Sequence, residues 1–299
     1  MSALDPTLIT FLFYIVAMVV IGLVAYRATT NFSDYILGGR RLGSFVTALS
    51  AGASDMSGWL LMGLPGAIYL SGLSEMWIAI GLIIGAWLNW LLVAGRLRVH
   101  TVVQNNALTL PDYFSNRFDD QKKVLRIVSA FVILIFFAIY CASGMVAGAR
   151  LFESMFDMSY STALWISALA TISYVFIGGF LAVSWTDTIQ AGLMIFALLL
   201  TPIVTIFSFS DMTQVTLALE AARPQAMNVM GDLSTVAILS LLAWGLGYFG
   251  QPHILVRFMA ADSVKSIPNA RRIGMTWMIL CLGGAVAAGF FGIAFFEQN

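Results

Sequence analysis

Ser50-Ala51-Gly52-Ala53-Ser54-Asp55-Met56-Ser57-Gly58 sets a run of small and polar residues, with an acid near its middle, inside a stretch that is otherwise apolar from 45 to 70. Such a run is costly in hydrocarbon. An Asp at mid-span costs about 2.5–3.5 kcal/mol on insertion scales, and the glycines and serines weaken the helix that would carry it. A second stretch shares the peculiarity. Trp244-Gly245-Leu246-Gly247-Tyr248-Phe249-Gly250-Gln251-Pro252-His253 interrupts the apolar segment 234–256 with glycines and a proline, and Pro252 removes a backbone donor. Helices interrupted at similar depth leave carbonyls free for a cation, and their half-helix N-termini can receive an anionic group. Close packing of small residues accounts for either stretch alone. The two together, one with an acid and the other with an aromatic cluster, favour a binding site.

Around these stretches the chain is 60% hydrophobic and 10% charged, with a mean hydropathy of +0.90, whereas soluble domains average about 25% charged residues. Windows of roughly 20 apolar residues, enough to cross a bilayer core, fall near 8–26, 45–70, 76–95, 127–149, 161–180, 189–209, 234–256 and 273–296. The chain therefore reads as an all-α membrane protein with about eight transmembrane helices, lying in a lipid bilayer as one transmembrane domain, 1–299. A leading helix and cytoplasmic loop occupy 1–44. From the second window to the seventh is an odd number of helices, so the second interrupted helix enters from the opposite side. This is how an inverted repeat begins: a first five-helix repeat over 45–209 and the start of a second over 234–296.

Lys plus Arg, 15, equals Asp plus Glu, 15, and no basic face points to a nucleic-acid partner. Placement matters more than the sum. Arg27, Arg40, Arg41, Arg96, Arg98, Arg117, Lys122, Lys123, Arg126, Arg257, Lys265, Arg271 and Arg272 follow the first, third and seventh spans. The positive-inside rule sets them in the cytoplasm and the N-terminus outside. By parity alone residues 184–187 also fall inside, which puts Asp187 at the cytoplasmic edge of a helix, in a position to cap it. Leu110-Pro111-Asp112-Tyr113 reads as a turn into a short interfacial helix. Residues 1–7 carry Asp5 and no Lys or Arg, so the first apolar run reads as a span and not a signal peptide. Cys141 and Cys281 lack a second thiol at metal or disulfide spacing and read as packing residues. Trp77, Trp90, Trp165 and Trp277 read as an interfacial belt.

Ser50 to Gly58 and Trp244 to Pro252 are joined by Gly178-Gly179-Phe180-Leu181-Ala182-Val183 with Thr186-Asp187-Thr188-Ile189-Gln190, by Leu37-Gly38-Gly39-Arg40 and by Tyr140-Cys141-Ala142-Ser143-Gly144. On these motifs the sequence resembles the sodium/solute symporter family over nearly its whole length. The resemblance implies a leucine-transporter-type inverted-repeat fold, with a leading helix and then five plus five helices. The second repeat would be incomplete at Asn299, with two helices of five. It also implies sodium-coupled uptake of a small solute across the bacterial inner membrane, with sodium the coupling ion and no other cofactor. L-proline is the first candidate solute, and pantothenate or a sugar the alternatives.

By the same resemblance sodium lies among unwound carbonyls of Ala53 and Met56, with Asp55 supplying charge close to the ion and hydroxyl ligands coming from a helix beyond Asn299. Ser57 and Gly58 shape the junction with the solute, and Tyr140, Trp244, Tyr248 and Pro252 line the solute site. Arg40 gates the inner exit or simply anchors the cytoplasmic side, and Asp187 handles the ion or caps its helix. For Asp55 a cap at the break is the plainer role. His253 has no acid near it in sequence and gives no sign of a proton relay. The rival from another class is a solute-sensing membrane domain. No catalytic residue is assigned, because parity separates Asp55 and Asp187 in depth and so argues against a carboxylate pair.

Overall fold

Residues 6–298 are described by the computed structural model; expectations for residues 1–5, Asp5 among them, and for Asn299 lie outside the described residues. The first helix, α1 (Pro6–Ala28), has 23 residues and so rises about 34 Å, enough for a bilayer core. A short α2 (Phe32–Leu37) follows, with the Asn31 side chain accepting from the Asp34 N–H at its start. The Thr30 hydroxyl donates to Asp34 and Arg41 lies 3.2 Å from it, holding this carboxyl below its ordinary pKa.

The second apolar window is α3 (Ser44–Gly58), a wide π-type turn over Trp59–Gly63, and α4 (Leu64–Ser71). Pro65 has no N–H to return to the preceding turn, which accounts for the widening there. Gly72, at φ 79°, reverses the chain into α5 (Met76–Asn89), continued by α6 (Gly95–Val103). A straight rod of the 60 residues Ser44–Val103 would measure about 90 Å. The last helix packs on α3, α4 and α5 alike, which requires the fold-back at Gly72.

In α7 (Leu110–Arg117) Pro111 sits in the first turn and Thr109 accepts from the Asp112 N–H, as the sequence suggests. Next come α8 (Val124–Phe156) and α9 (Tyr160–Phe207). Here two apolar windows join in one helical run of 48 residues whose non-helical residue is Gly179, at φ 58° and ψ −149°. That conformation is essentially restricted to glycine. A Cβ added at Gly179 would lie 2.6 Å from the Tyr35 ring, and one at Gly178 would lie 2.7 Å from the Gly22 carbonyl. The turn therefore falls at Gly178–Gly179, beside the loop after α1, and not at 184–187. Asp187 consequently lies some two turns, about 12 Å, into the following helix.

After α10 (Met212–Ala222) the seventh window is α11 (Thr235–Leu242), a 3-10 segment Ala243–Phe249, an extended Gln251 and α12 (Pro252–Ala260). The final helix is α13 (Ile267–Gln298). All eight apolar windows fall largely on helix. Five runs are long and apolar enough to cross a membrane, and Thr235–Phe249 is a shorter apolar helix. Among the described residues the β pairing is a single isolated bridge, Leu42 with Ala261.

Loops that follow the first, third and seventh spans meet on one face. The Arg40 guanidinium donates to the Thr101 hydroxyl (3.1 Å), Asn106 Oδ1 (3.2 Å) and the carbonyls of Met259 (2.7 Å) and Ala107 (2.8 Å). Arg98 donates to the Asp262 carbonyl at 3.1 Å. Burial and the nearby Arg98 charge lower the Arg40 pKa to about 10, so it stays charged at neutral pH. On the opposite face the Leu73 amide donates to the Ala226 carbonyl (2.8 Å) and the Trp77 indole to the Val229 carbonyl (3.0 Å).

Two tryptophans are not where the interfacial expectation put them. Trp277 is 4% exposed, donates to the Ala191 carbonyl at 2.9 Å and covers Gly52, and Trp90 packs on Phe258 with ring centroids 4.4 Å apart. Glycine at 52 leaves the volume that the Trp277 ring fills. Trp165 is exposed, as a belt residue would be. Cys281 is buried in the core as expected, while Cys141 is exposed on α8 and is not a packing residue.

Candidate ion and solute site

α3 stays helical through Met56 and breaks at Ser57, whose φ of 43° and ψ of −160° lie where non-glycine residues rarely go. Holding such a residue costs of order 1–3 kcal/mol and is characteristic of binding sites. Ala53 therefore sits one turn inside the helix, contrary to the expectation that it is unwound. Packing of α3 between α9 and α13 outweighs the weak helix propensity of Gly52 and Ser54. The Met56 carbonyl lies at the break, where it accepts the Trp59 N–H and keeps a second lone pair. Gly58 follows, with Ala147 of α8 nearby.

In the seventh span the break is wider. The 3-10 segment, Gly250 and Gln251 separate α11 from α12, and Pro252 opens α12 where its missing donor costs nothing. Asn89 of α5 donates to the Tyr248 carbonyl at 3.0 Å. For Gly245 the close-packing account holds, since a Cβ added there would clash with the Gly81 carbonyl, and one added at Gly85 would clash with the carbonyl of Gly245.

The two breaks meet. The Tyr248 hydroxyl donates to the Asp55 carboxylate, and the Tyr140 hydroxyl donates to the Ser54 carbonyl at 2.8 Å. The Tyr140 ring stacks on His253 at 5.0 Å, and His253 Nε2 lies 4.0 Å from Asp55 Oδ1. Asp55, Tyr140, Tyr248 and Pro252 thus share one neighbourhood. Trp244, 53% exposed, joins it indirectly by stacking on Trp59 at 5.8 Å. Asp55, Met56, Asn89 and Tyr248 also line a cavity of about 20 Å³. That volume takes one water or bare ion but no solute molecule.

Asp187 is buried and ion-paired, not a cap at a membrane edge. It lies 2.8 Å from Arg257 Nη2 and accepts the Ser50 hydroxyl at 2.7 Å. Arg257 Nε donates to Ser50 Oγ at 3.0 Å and Nη1 to the His253 carbonyl at 2.7 Å. Arg257, grouped by sequence with the cytoplasmic cations, is 4% exposed. The earlier turn at Gly179 explains the placement of Asp187, and Arg257 lies within α12, a helix buried along most of its length. Asp55 and Asp187 hold separate partners, and Arg40 binds loops and touches neither. Sequence reasoning passed over Ser50, Trp59, Asn89, His253 and Arg257. Arg257 and His253 are four apart on one buried face of α12, but Asp55 and Asp187 are too remote in sequence to announce the pairing.

Residues 35–299 match the sodium:solute symporter family. The chain belongs to the sodium:solute symporter family. Across all 299 residues it is 68% identical to the sodium/proline symporter of Salmonella typhimurium and 67% identical to that of Escherichia coli K12. Over 282 residues it is 55% identical to the high-affinity proline transporter PutP of Bacillus subtilis. In each case the chain spans 60% of the relative's length. A solved Na+-coupled sialic acid symporter, substrate-bound and outward-open, superposes with a TM-score of 0.83 at 18% identity, covering 96% of this chain and 61% of that one. The fold is accordingly the leucine-transporter-type helical fold of these symporters. Family membership together with five membrane-length helical runs makes this an integral membrane protein of a transporter family.

Proposed function

We propose that the protein takes up L-proline by sodium symport, moving both by alternating access as two inverted repeats rock about the paired breaks. The observation that carries this is the Tyr248–Asp55 contact, which ties one broken helix to the other, in a chain 66–68% identical to sodium/proline symporters. The repeats would comprise 45–209 and a second unit beginning at 234–296, after the leading segment 1–44. Sodium would bind at the span-two break, using the Met56 carbonyl and the charge of Asp55, since a hard cation prefers oxygen ligands. Tyr140, Trp244, Tyr248 and Pro252 would line the solute site, with Ser57 and Gly58 at the junction. Asp187 would couple through Arg257, and Arg40 would hold the inner loops closed. The Arg-rich loops on one face support a cytoplasmic side, an outside N-terminus and a bacterial inner-membrane location. No covalent chemistry is required.

Sodium and proline should each tighten the other's binding by the same factor, because coupling between sites is reciprocal, typically 1–3 kcal/mol or 5- to 150-fold. Equilibrium binding of labelled proline with and without sodium, and the converse titration, measures both factors. Asp55→Asn keeps the size and removes the charge, so it should lower sodium affinity at least about tenfold, the weight of one charged contact. A variant with unchanged sodium affinity would remove Asp55 from the ion site.

A further inference from the structure

Among the described residues the buried side-chain atoms without a hydrogen-bond partner are Asn89 Oδ1, Gln251 Oε1 and both ring nitrogens of His253. All belong to one neighbourhood. Gln251 and His253 flank Pro252 in the span-seven break, and Asn89 is bonded to the Tyr248 carbonyl of the same break. The His253 side chain is 6% exposed and that of Asp55 10%. Tyr140 stacks on the imidazole, and Phe137 packs on it at 5.4 Å, so the ring cannot swing away to find a partner. Its Nε2 stands 4.0 Å from Asp55 Oδ1, beyond hydrogen-bond range. Buried polar groups left unpaired in this way are rare and call for a partner, which a bound ligand can supply.

What is missing there is donors. The amide oxygens of Asn89 and Gln251 only accept, a carboxylate has about four lone-pair sites, and a neutral imidazole offers one accepting nitrogen; Tyr248 supplies a single donor to Asp55. A bare alkali ion meets oxygen ligands well and an imidazole nitrogen poorly. A group carrying positive charge and several N–H bonds supplies the missing donors to the carboxylate and to the accepting ring nitrogen, the other ring nitrogen being itself an N–H donor. We propose that His253 is a solute-contact residue, and that, once the two breaks part to widen the small cavity beside Asp55, the ammonium of an amino-acid solute docks between the Asp55 carboxylate and the His253 imidazole, with Gln251 Oε1 as a further acceptor. This rests on the symporter function proposed above. A secondary ammonium such as that of proline has two N–H bonds, one for each of the two principal partners.

The test uses His253→Leu and His253→Gln in the full gene product, reconstituted in proteoliposomes, with L-proline uptake and its competition by cyclopentanecarboxylate, which has the ring and carboxylate but no ammonium. The Leu variant should lose proline affinity by about 10- to 100-fold, the weight of one charge-assisted contact, while Gln, which restores an acceptor, stays within about threefold of the parent. Sodium half-saturation and the affinity for cyclopentanecarboxylate should be unchanged in both. Parental proline affinity in the Leu variant, equal losses in both variants, or a shift of sodium half-saturation in place of proline affinity would each overturn the proposal. Failure of the parent protein to take up proline with sodium would instead sink the underlying function.

Discussion

Arg257→Ala should lower the unfolding free energy by about 3–5 kcal/mol, because it leaves a buried acid without its cation. Asp187 has a side chain 12% exposed, and the Ser50 hydroxyl would remain as its donor. Asp187→Ala strands the charge of Arg257, whose side chain is 5% exposed, with a similar cost. A buried ion pair does not itself add much net stability, since desolvating both charges offsets their attraction. The double variant Arg257→Met/Asp187→Leu, apolar and of similar volume, should therefore recover most of either loss. Denaturant unfolding of the parent, the singles Arg257→Met and Asp187→Leu and the double variant in detergent micelles closes the cycle and gives the coupling energy. Simple additivity of the two losses would refute the pairing. The pair joins α3, α9 and α12, the elements that carry Ser50, Asp187 and Arg257, so both single variants should also lose uptake.

Gly85→Leu should abolish sodium-dependent uptake. α5 and the 3-10 segment of span seven approach backbone to backbone, and a Cβ at Gly85 would clash with the Gly245 carbonyl. A carbonyl cannot give way as a flexible side chain can, so the segments must part, at a cost of about 1–3 kcal/mol or more. Asn89 lies one turn further along and holds the Tyr248 carbonyl, and Tyr248 in turn holds Asp55. Separation therefore takes apart the contact between the two breaks. Gly192→Leu is the control, since nothing lies within 4 Å of a Cβ added there. Uptake and melting temperature measured on both variants decide the matter; parental uptake by Gly85→Leu would contradict the close approach.

Hydropathy placed the long helices, because twenty apolar residues in a row have few alternatives in a bilayer, but it did not announce the short α2 and α10. The two breaks were legible from Ser57-Gly58 and from Gly250-Pro252, where backbone chemistry is local. The turn at Gly178–Gly179 was misplaced to 184–187 because polar side chains looked like a loop. Within the helix the Ser184 and Thr186 hydroxyls instead bond to the carbonyls of Phe180 and Ala182. That one displacement carried Asp187 to the wrong depth and hid its pairing with Arg257. The same limit hid His253, whose partners Asp55 and Tyr140 lie on other helices. Trp277 was mistaken for a belt residue because its place depends on the space above Gly52, which is a property of packing and not of pattern.

The most direct measurement is uptake of radiolabelled L-proline into proteoliposomes with and without an inward sodium gradient, using this chain and a version extended to the length of its relatives. Sodium-coupled proline symport predicts uptake by the extended version that rises with the gradient and collapses when sodium is equal on both sides. Uptake indifferent to sodium, or none in either form, would contradict it.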